Sequence, residues 1–411
     1  MKSHYKSLSS YIRKVDVRNK DGVITKLLGV NLNKELMPSI AKTHGVDLTK
    51  YKVLSKNQFA CKFMSVGRDE KLPIGFYQED EKAIVSSAYY VFESIDEELL
   101  DSQYLMMWLS RPENDRLLWF KSGADVRGSI SWDDFCEIVL PVPSIEKQRE
   151  IVREYYVVND RIALNEKLAQ KLEDTAQAIY KQWFVDFEFP ITKEYAESIG
   201  KPELEGKPYK SSGGEMEFCN LLDMEKPVFC KTDFIESYVK LSQGQVINAK
   251  TNYLIESEGI PLLRIQDLKS YEEHIFINPS VAKSKIANLE DIIVSRTGNV
   301  GLTFRHRTGV VHNNCFKVKS VSEQLTSDFL FWFLKSKRIE KQMINLSSGS
   351  VQADLSHQKF NKLPIILPEA KYQKKLSLYL NTIEKNIEAY LNANTQLNQL
   401  MELILRRMSK A

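Results

Sequence analysis

Cysteine is scarce in this chain of 411 residues: there are five, an odd number, at Cys61, Cys136, Cys219, Cys230 and Cys315, with no Cys-x-x-Cys pair. Such spacing argues against both a disulfide framework and a structural zinc, so reduced thiols in a cytoplasmic compartment are expected. Long apolar runs are missing too. Stretches such as residues 329–334 fall far short of the ~18 residues a membrane span needs, and the start Met1-Lys2-Ser3-His4-Tyr5 has no apolar signal core; neither export nor membrane insertion is expected. No charge of one sign dominates, because 57 Lys and Arg face 54 Asp and Glu for a net charge of +3. A polyanionic partner must therefore be argued from local charge. The apolar content of 43% and charged content of 27% are ordinary for a globular chain, and its length suits roughly two to three domains.

Motifs that carry chemistry are also wanting. An amino-methyltransferase holds its target amine with an Asn/Asp-Pro-Pro-aromatic run, whereas Asn278-Pro279 here continues with Ser280. There is no Gly-x-Gly-x-x-Gly cofactor loop and no Gly-x-x-x-x-Gly-Lys-Ser/Thr phosphate loop. Asp69-Glu70-Lys71 and Asp80-Glu81-Lys82 match the short half of a nuclease pattern, but no Pro-Asp pair precedes them, and Glu203 lies too close to Glu205-Gly206-Lys207 to build a site. Six scattered His residues give no metal-ligand spacing. The acidic residues Glu93, Asp96, Glu97, Glu98 and Asp101 precede an apolar helical stretch and read as a solvated first turn.

What the chain does hold is an internal repeat. Shifted by 225 residues, Val126 to Ser131 falls on Val351 to Ser356, Phe135 on Phe360, Pro143 on Pro368 and Gln148 on Gln373, while Ser102 to Leu109 falls on Ser327 to Leu334. A tandem duplication follows, each half reading as a mixed globular domain followed by a long helix. In the first helix Ile151, Tyr155, Val158, Ile162, Asn165, Ala169, Leu172, Ala176, Ile179 and Trp183 recur in steps of four and three, the spacing of a coiled-coil seam. Leu376, Leu380, Ile383, Ile387, Tyr390, Asn394, Leu397, Met401, Ile404 and Met408 repeat that phase in the second. Each seam makes a rod of about 50 Å. Two equal rods in one chain favour each other, and antiparallel packing with aligned ends puts Asn165 opposite Asn394 and Ala169 opposite Tyr390. The residues expected to pair the rods are Ile162, Asn165, Ala169, Leu172, Ile387, Tyr390, Asn394 and Leu397. The fold class is thus α+β, with two tandem globular domains and an antiparallel coiled coil of pseudo-twofold symmetry. The expected segments are a first domain over 1–143, a helix over 144–187, a connector rich in Pro, Gly, Lys and Ser over 188–224, a second domain over 225–367 and a second helix over 368–411.

Local charge does gather in the second domain. Between Lys283 and Lys319 seven positive residues, Lys283, Lys285, Arg296, Arg305, Arg307, Lys317 and Lys319, face only Glu290 and Asp291. The apolar strand from Ile292 runs into Ser295-Arg296-Thr297-Gly298-Asn299, and Asn313 and Asn314 follow. Arg, Asn, Gln, Ser and Thr suit the edges of bases, and Gly lets backbone approach phosphate. The competing reading is a strand with a solvated basic hairpin. Arg264 and Gln266 form a further polar cluster, and Gln352 lies in a turn before the second helix. The first domain has a looser counterpart in Lys62, Ser65 and Arg68, with Arg127 and Ser129 in the matching turn. Scaffold positions align between the halves while the polar loops do not, which suits two related domains reading two unlike sequences.

The run from Leu140-Pro141-Val142-Pro143 to Gln148, then Asn159-Asp160-Arg161-Ile162 and Asn165, then Ala178 to Phe187 with Trp183-Phe184-Val185-Asp186-Phe187, resembles the central conserved region of type I restriction–modification specificity subunits. Ile293 to Gly301 resembles a segment of their target recognition domains. The distal copy, Leu367-Pro368-Glu369-Ala370-Lys371-Tyr372-Gln373, has lost one Pro of the central motif and carries Met408 where the first has Trp183. The resemblance implies a non-catalytic subunit: each recognition domain reads half of a bipartite target in double-stranded DNA, and the helices set the unread spacer. Methyltransferase subunits, expected to be two, dock along the helices, and a restriction and translocation subunit cuts. No cofactor is expected in this chain; S-adenosylmethionine, ATP and Mg belong to the partners. Trp183, Phe184 and Phe187 are candidate docking aromatics, unless they close the local core. Two other readings stay open: a helical scaffold with an incidental basic patch, and a nuclease or methyltransferase with an unrecognised site.

Overall fold

Neither 145–184 nor 370–408 contains a glycine or a proline, and in the computed structural model each stretch is one helix, Ile145–Phe184 of 40 residues and Ala370–Met408 of 39. The structure describes residues 5–39, 46–123, 128–271, 273–348 and 353–409. Every residue of both seams is buried or half-buried, as the four-and-three spacing requires of a stripe that faces apolar surface. The first helix stops where Phe187 takes a left-handed conformation at φ 58°, and the Glu188 amide turns back to the Gln182 carbonyl at 2.8 Å. Lys181, paired with Asp186 at 2.6 Å, adds a cation at the helix end whose dipole favours it.

The chain divides into two units, Met1–Ala163 with Gln396–Ala411, and Leu164–Thr395. In the first unit a four-stranded antiparallel sheet runs in the order Ile12–Val15, Tyr90–Ser94, Gln58–Cys61, Ile74–Tyr77. Its core joins Phe59, Phe92 and Phe135 to Ile151, Val152 and Val158 of the first helix and to Ile404 and Met408 at the end of the second. Arg407 pairs with Glu154 at 2.7 Å and Arg111 reaches Ser409 Oγ at 2.6 Å, so the two helices run antiparallel within this unit.

The second unit repeats the scheme. Its four-stranded antiparallel sheet runs Val239–Gln243, Cys315–Ser320, Ile292–Ser295, Thr303–Phe304, the same first-fourth-second-third order. A five-stranded sheet is added, with one parallel pair between Ile260–Leu263 and Gly309–Val311. Its core takes Ala176, Tyr180, Trp183 and Phe184 from the first helix and Leu376 and Leu380 from the second. The Asn165 amide donates to Asn394 Oδ1 at 2.7 Å, with both residues buried. The bond offsets part of the cost of burying the two amides, of which the Asn165 oxygen stays without a partner, and it fixes register, because any slip leaves both amides facing apolar side chains. A double-mutant cycle of Asn165→Ala and Asn394→Ala is expected to give a coupling of about 1 kcal/mol in denaturation followed by helical circular dichroism; additive losses would mean that the bond contributes nothing.

Start positions of the shorter helices also keep the 225-residue shift: Ser102–Leu109 and Ser327–Lys335, Pro112–Lys121 and Lys337–Ser347, Trp132–Cys136 and His357–Asn361. The side chains of Asp101 and Thr326 cap the first pair, and those of Ser131 and Ser356 the last. Gln148 and Gln373, both fully buried, make one clasp twice. Gln148 Oε1 accepts from the Asp101 amide at 3.0 Å, and its Nε2 donates to the carbonyls of Leu99 and Pro143 at 3.0 and 2.9 Å. Gln373 accepts from the Thr326 amide at 2.9 Å and donates to Gln324 and Pro368 at 2.8 and 2.7 Å. Each glutamine ties the start of a long helix to its own domain.

The segment whose composition reads as a connector is folded. It holds the helix Lys193–Ser198 and the hairpin Met216–Cys219 with Met224–Pro227, and it buries Phe189, Ile191, Ala196 and Tyr209 against Phe229 and Tyr372. Gly214 lies under the Tyr209 ring, where a Cβ would come within 2.3 Å of a ring carbon. Proline and glycine serve here to fold a short chain tightly around four aromatic rings.

Candidate nucleic-acid interface

In the second unit the strand ends Gln243, Ser295 and Cys315 lie side by side, because Gln243 pairs with Phe316 and Ser295 with Cys315. The loops that follow them converge. Gly244 must stay a glycine there, since a Cβ would fall 2.2 Å from the His312 carbonyl oxygen. Arg296 donates its amide to the Asn314 carbonyl at 2.8 Å and accepts from the Leu355 amide at 2.9 Å. Its guanidinium is bidentate to Asp354, Nε at 2.8 and Nη2 at 2.7 Å, and its Nη1 reaches Gln243 Oε1 at 2.8 Å. Gln243 Nε2 in turn donates to the Asn313 carbonyl at 3.0 Å, and Lys285 holds the Gln243 carbonyl at 2.9 Å. The Arg296 guanidinium keeps the Asp354 carboxyl below the usual carboxylate range. Burial pushes the nearby His357 imidazole down, and the charge of Arg296 adds to that.

Arg296, Thr297, Asn313 and Asn314 thus come together, with Asn299 and Asn314 exposed. A second group gathers around Asp267. Arg264 is bidentate to it at 2.7 and 2.8 Å, His274 Nδ1 lies at 3.0 Å, and the Gln266 amide oxygen faces the Arg264 guanidinium at 2.9 Å. Burial works against the Asp267 carboxylate, yet Arg264 and His274 outweigh it and hold its pKa down. Arg307 bonds the Asp267 carbonyl at 3.1 Å and stacks over Tyr271 at 4.3 Å.

Other expected contacts are corrected by the structure. Ser295 is fully buried: its Oγ accepts from the Leu302 amide at 2.9 Å and donates to the Asn299 carbonyl at 2.5 Å, stapling the turn rather than facing a ligand. Arg305 is buried against the second helix, bonded to Glu384 and to Asp328 at 2.7 Å and lying over Phe331, so its charge is spent on the fold. Trp183, Phe184 and Phe187 are buried as well. Phe184 packs edge-on to Phe329 at 4.9 Å and Trp183 against Tyr379 at 5.8 Å, so these three side chains close the core of the second unit rather than face outward.

In the first unit the Gly67 amide bonds the Gly128 carbonyl at 3.0 Å, which sets Ser129 beside the Lys62–Arg68 turn. Arg68 is exposed and pairs with Asp69 at 2.7 Å, Lys62 is half-buried, and Ser65 is turned inward. Arg127 and Gln352 lie outside the described residues. Gln243 and Asp354 do not stand out in the sequence, and Lys285 does so only as one of seven basic residues, because each acquires its role from a partner far along the chain. Among the described residues no cluster of three or more His, Cys, Asp or Glu side chains is placed to hold a metal, and no helix is long and apolar enough to cross a membrane.

Residues 226–399 match the family described as type I restriction modification DNA specificity domain. The chain is 24% identical over 377 residues to the type I restriction enzyme HindI specificity subunit of Haemophilus influenzae, covering 79% of this chain and 80% of that one. It is likewise 24% identical over 324 residues to the MjaIX specificity subunit of Methanocaldococcus jannaschii, covering 75% and 67%. Its fold is similar to that of the crystal structure of a type I restriction–modification S subunit from M. genitalium, with a TM-score of 0.55 and 11% identity over 98% of this chain and 95% of that one. Residues 226–399 thus resemble a type I restriction modification DNA specificity domain, and most of the chain is similar to type I specificity subunits.

Proposed function

We propose that the chain is the DNA-reading subunit of a type I restriction–modification complex, in which each unit recognises one half of a split target. The observation that carries this reading is a duplicated scaffold with unlike loops. Sheet order and glutamine clasp repeat, while the polar side chains at the strand ends do not. Such a scaffold places two different sets of base contacts in equivalent frames, and the paired helices set the length of DNA left unread between them. The chemistry is borrowed. Adenine-N6 methyltransferase subunits, two per complex, bring S-adenosylmethionine and flip the target base from the stack, and a restriction and translocation subunit brings ATP and Mg. The complex works in the cytoplasm.

Co-expression with the neighbouring methyltransferase gene in a methylation-free host, followed by single-molecule mapping of N6-methyladenine, is expected to show modification at one split motif with an unread gap. A soluble complex that leaves DNA unmodified would favour the scaffold reading. Cutting or methylation by the purified chain alone would favour an enzyme.

A further inference from the structure

The registers of the two sheets show which residues hold equivalent places in the two domains. Cys61 pairs with Tyr90 and Ser295 with Cys315, and Tyr90 and Cys315 are 225 residues apart, so the next residues, Lys62 and Arg296, correspond. By the same argument Val15, opposite Val91, corresponds to Gln243, opposite Phe316, and the shift carries Ser129 to Asp354. One domain thus places Arg, Asp and Gln where the other places Lys, Ser and Val.

The trio in the second domain is built for orientation. A guanidinium has five N–H donors. Asp354 takes those on Nε and Nη2, and Gln243 takes one on Nη1. One donor is left on each terminal nitrogen, and the side chains of Arg296 and Asp354 remain 22% and 38% exposed. Guanine offers two acceptors, O6 and N7, to the major groove, whereas adenine pairs an acceptor with a donor. The carboxylate also cancels the charge of Arg296, which makes it a poor anchor for phosphate in general and suits it to discrimination rather than bulk affinity. Because Asp354 and Gln243 fix the fork before DNA arrives, little rotamer freedom is lost on contact.

We propose that Arg296, positioned by Asp354 and Gln243, reads one guanine in the half-site of the second domain through its two remaining terminal N–H groups, a contact that Lys62, Ser129 and Val15 do not reproduce in the first domain. The proposal rests on the reading of the chain as a DNA-recognition subunit.

The test uses the full chain in complex with its methyltransferase and measures methylation rates on duplexes in which every guanine of the split motif is replaced in turn by 7-deazaguanine or by another base. One guanine of one half-site is expected to be sensitive by roughly 5- to 150-fold, the equivalent of the about 1–3 kcal/mol of a bidentate contact. Arg296→Lys and Asp354→Asn are expected to lose the preference at that position alone, with every other position and the other half-site unchanged. The proposal is overturned if no guanine is sensitive to loss of N7, since that arm needs no variant that must fold, or if Arg296→Lys keeps the wild-type profile at every position. Equal loss at all positions and on random DNA would make Arg296 a phosphate contact and also overturn it. A wild-type complex with no sequence preference at all would instead overturn the reading of the chain as a DNA-recognition subunit.

Discussion

Replacing Asp115 by alanine is expected to destabilise the first unit by about 3–5 kcal/mol, because it strands a buried ammonium. Lys34 Nζ lies 2.8 Å from Asp115 and 2.6 Å from the Leu109 carbonyl, and the two side chains are only 7% and 10% exposed. Asp115 also accepts the Leu72 amide at 3.0 Å, so the variant leaves a second donor without a partner. Burial already lowers the Lys34 pKa, with Lys71 adding to it, and Asp115 opposes that fall. Between the folded and unfolded pKa values the unfolded chain binds more protons, so the contribution of this site to stability rises with pH. Without Asp115 the folded value drops further. The gap between variant and wild type is therefore expected to narrow as pH rises toward the ordinary lysine range. Two fully buried thiols serve as reporters, Cys61 in the first unit and Cys315 in the second. Labelling in urea should shift for Cys61 and stay put for Cys315; a pH-independent gap would mean that the loss comes from packing and the Leu72 amide instead.

The glutamine clasps give the converse pair. Gln373→Leu keeps most of the volume but leaves the Thr326 amide and the Gln324 and Pro368 carbonyls without their partner. Each buried group left unsatisfied costs about 1–3 kcal/mol, so a loss of about 3 kcal/mol or more is expected. It should appear in labelling of Cys315, while Gln148→Leu should appear in that of Cys61. Loss at the wrong reporter would show that the clasp does not hold each helix to its own domain.

Much of this architecture was readable before any coordinates. The seams of both helices, the 225-residue shift and the Asn165 and Asn394 register follow from spacing alone, because a helix in contact with a partner along its length imposes one period on its sequence. The Lys283–Lys319 charge count was less instructive. It put Arg305 and Arg296 in one patch, yet Arg305 is sealed against Glu384 while Arg296 stands at a loop edge. Charge along the chain does not say which carboxylate lies opposite, and Glu384 and Asp354 are 79 and 58 residues from their arginines. The connector misled for a related reason: Pro, Gly and Ser mark turns, and the aromatic residues between them pack on one another and on Phe229 and Tyr372, from elsewhere in the chain.

Sequence by itself determined the duplication, the two seams and the family resemblance, since these depend on periodicity and on short motifs that neighbouring residues express together. Tertiary structure alone decided which polar residues face outward. That choice rests on pairings between distant strand ends, where one carboxylate converts a cation either into a buried brace, as Glu384 does for Arg305, or into an oriented half-exposed fork, as Asp354 does for Arg296.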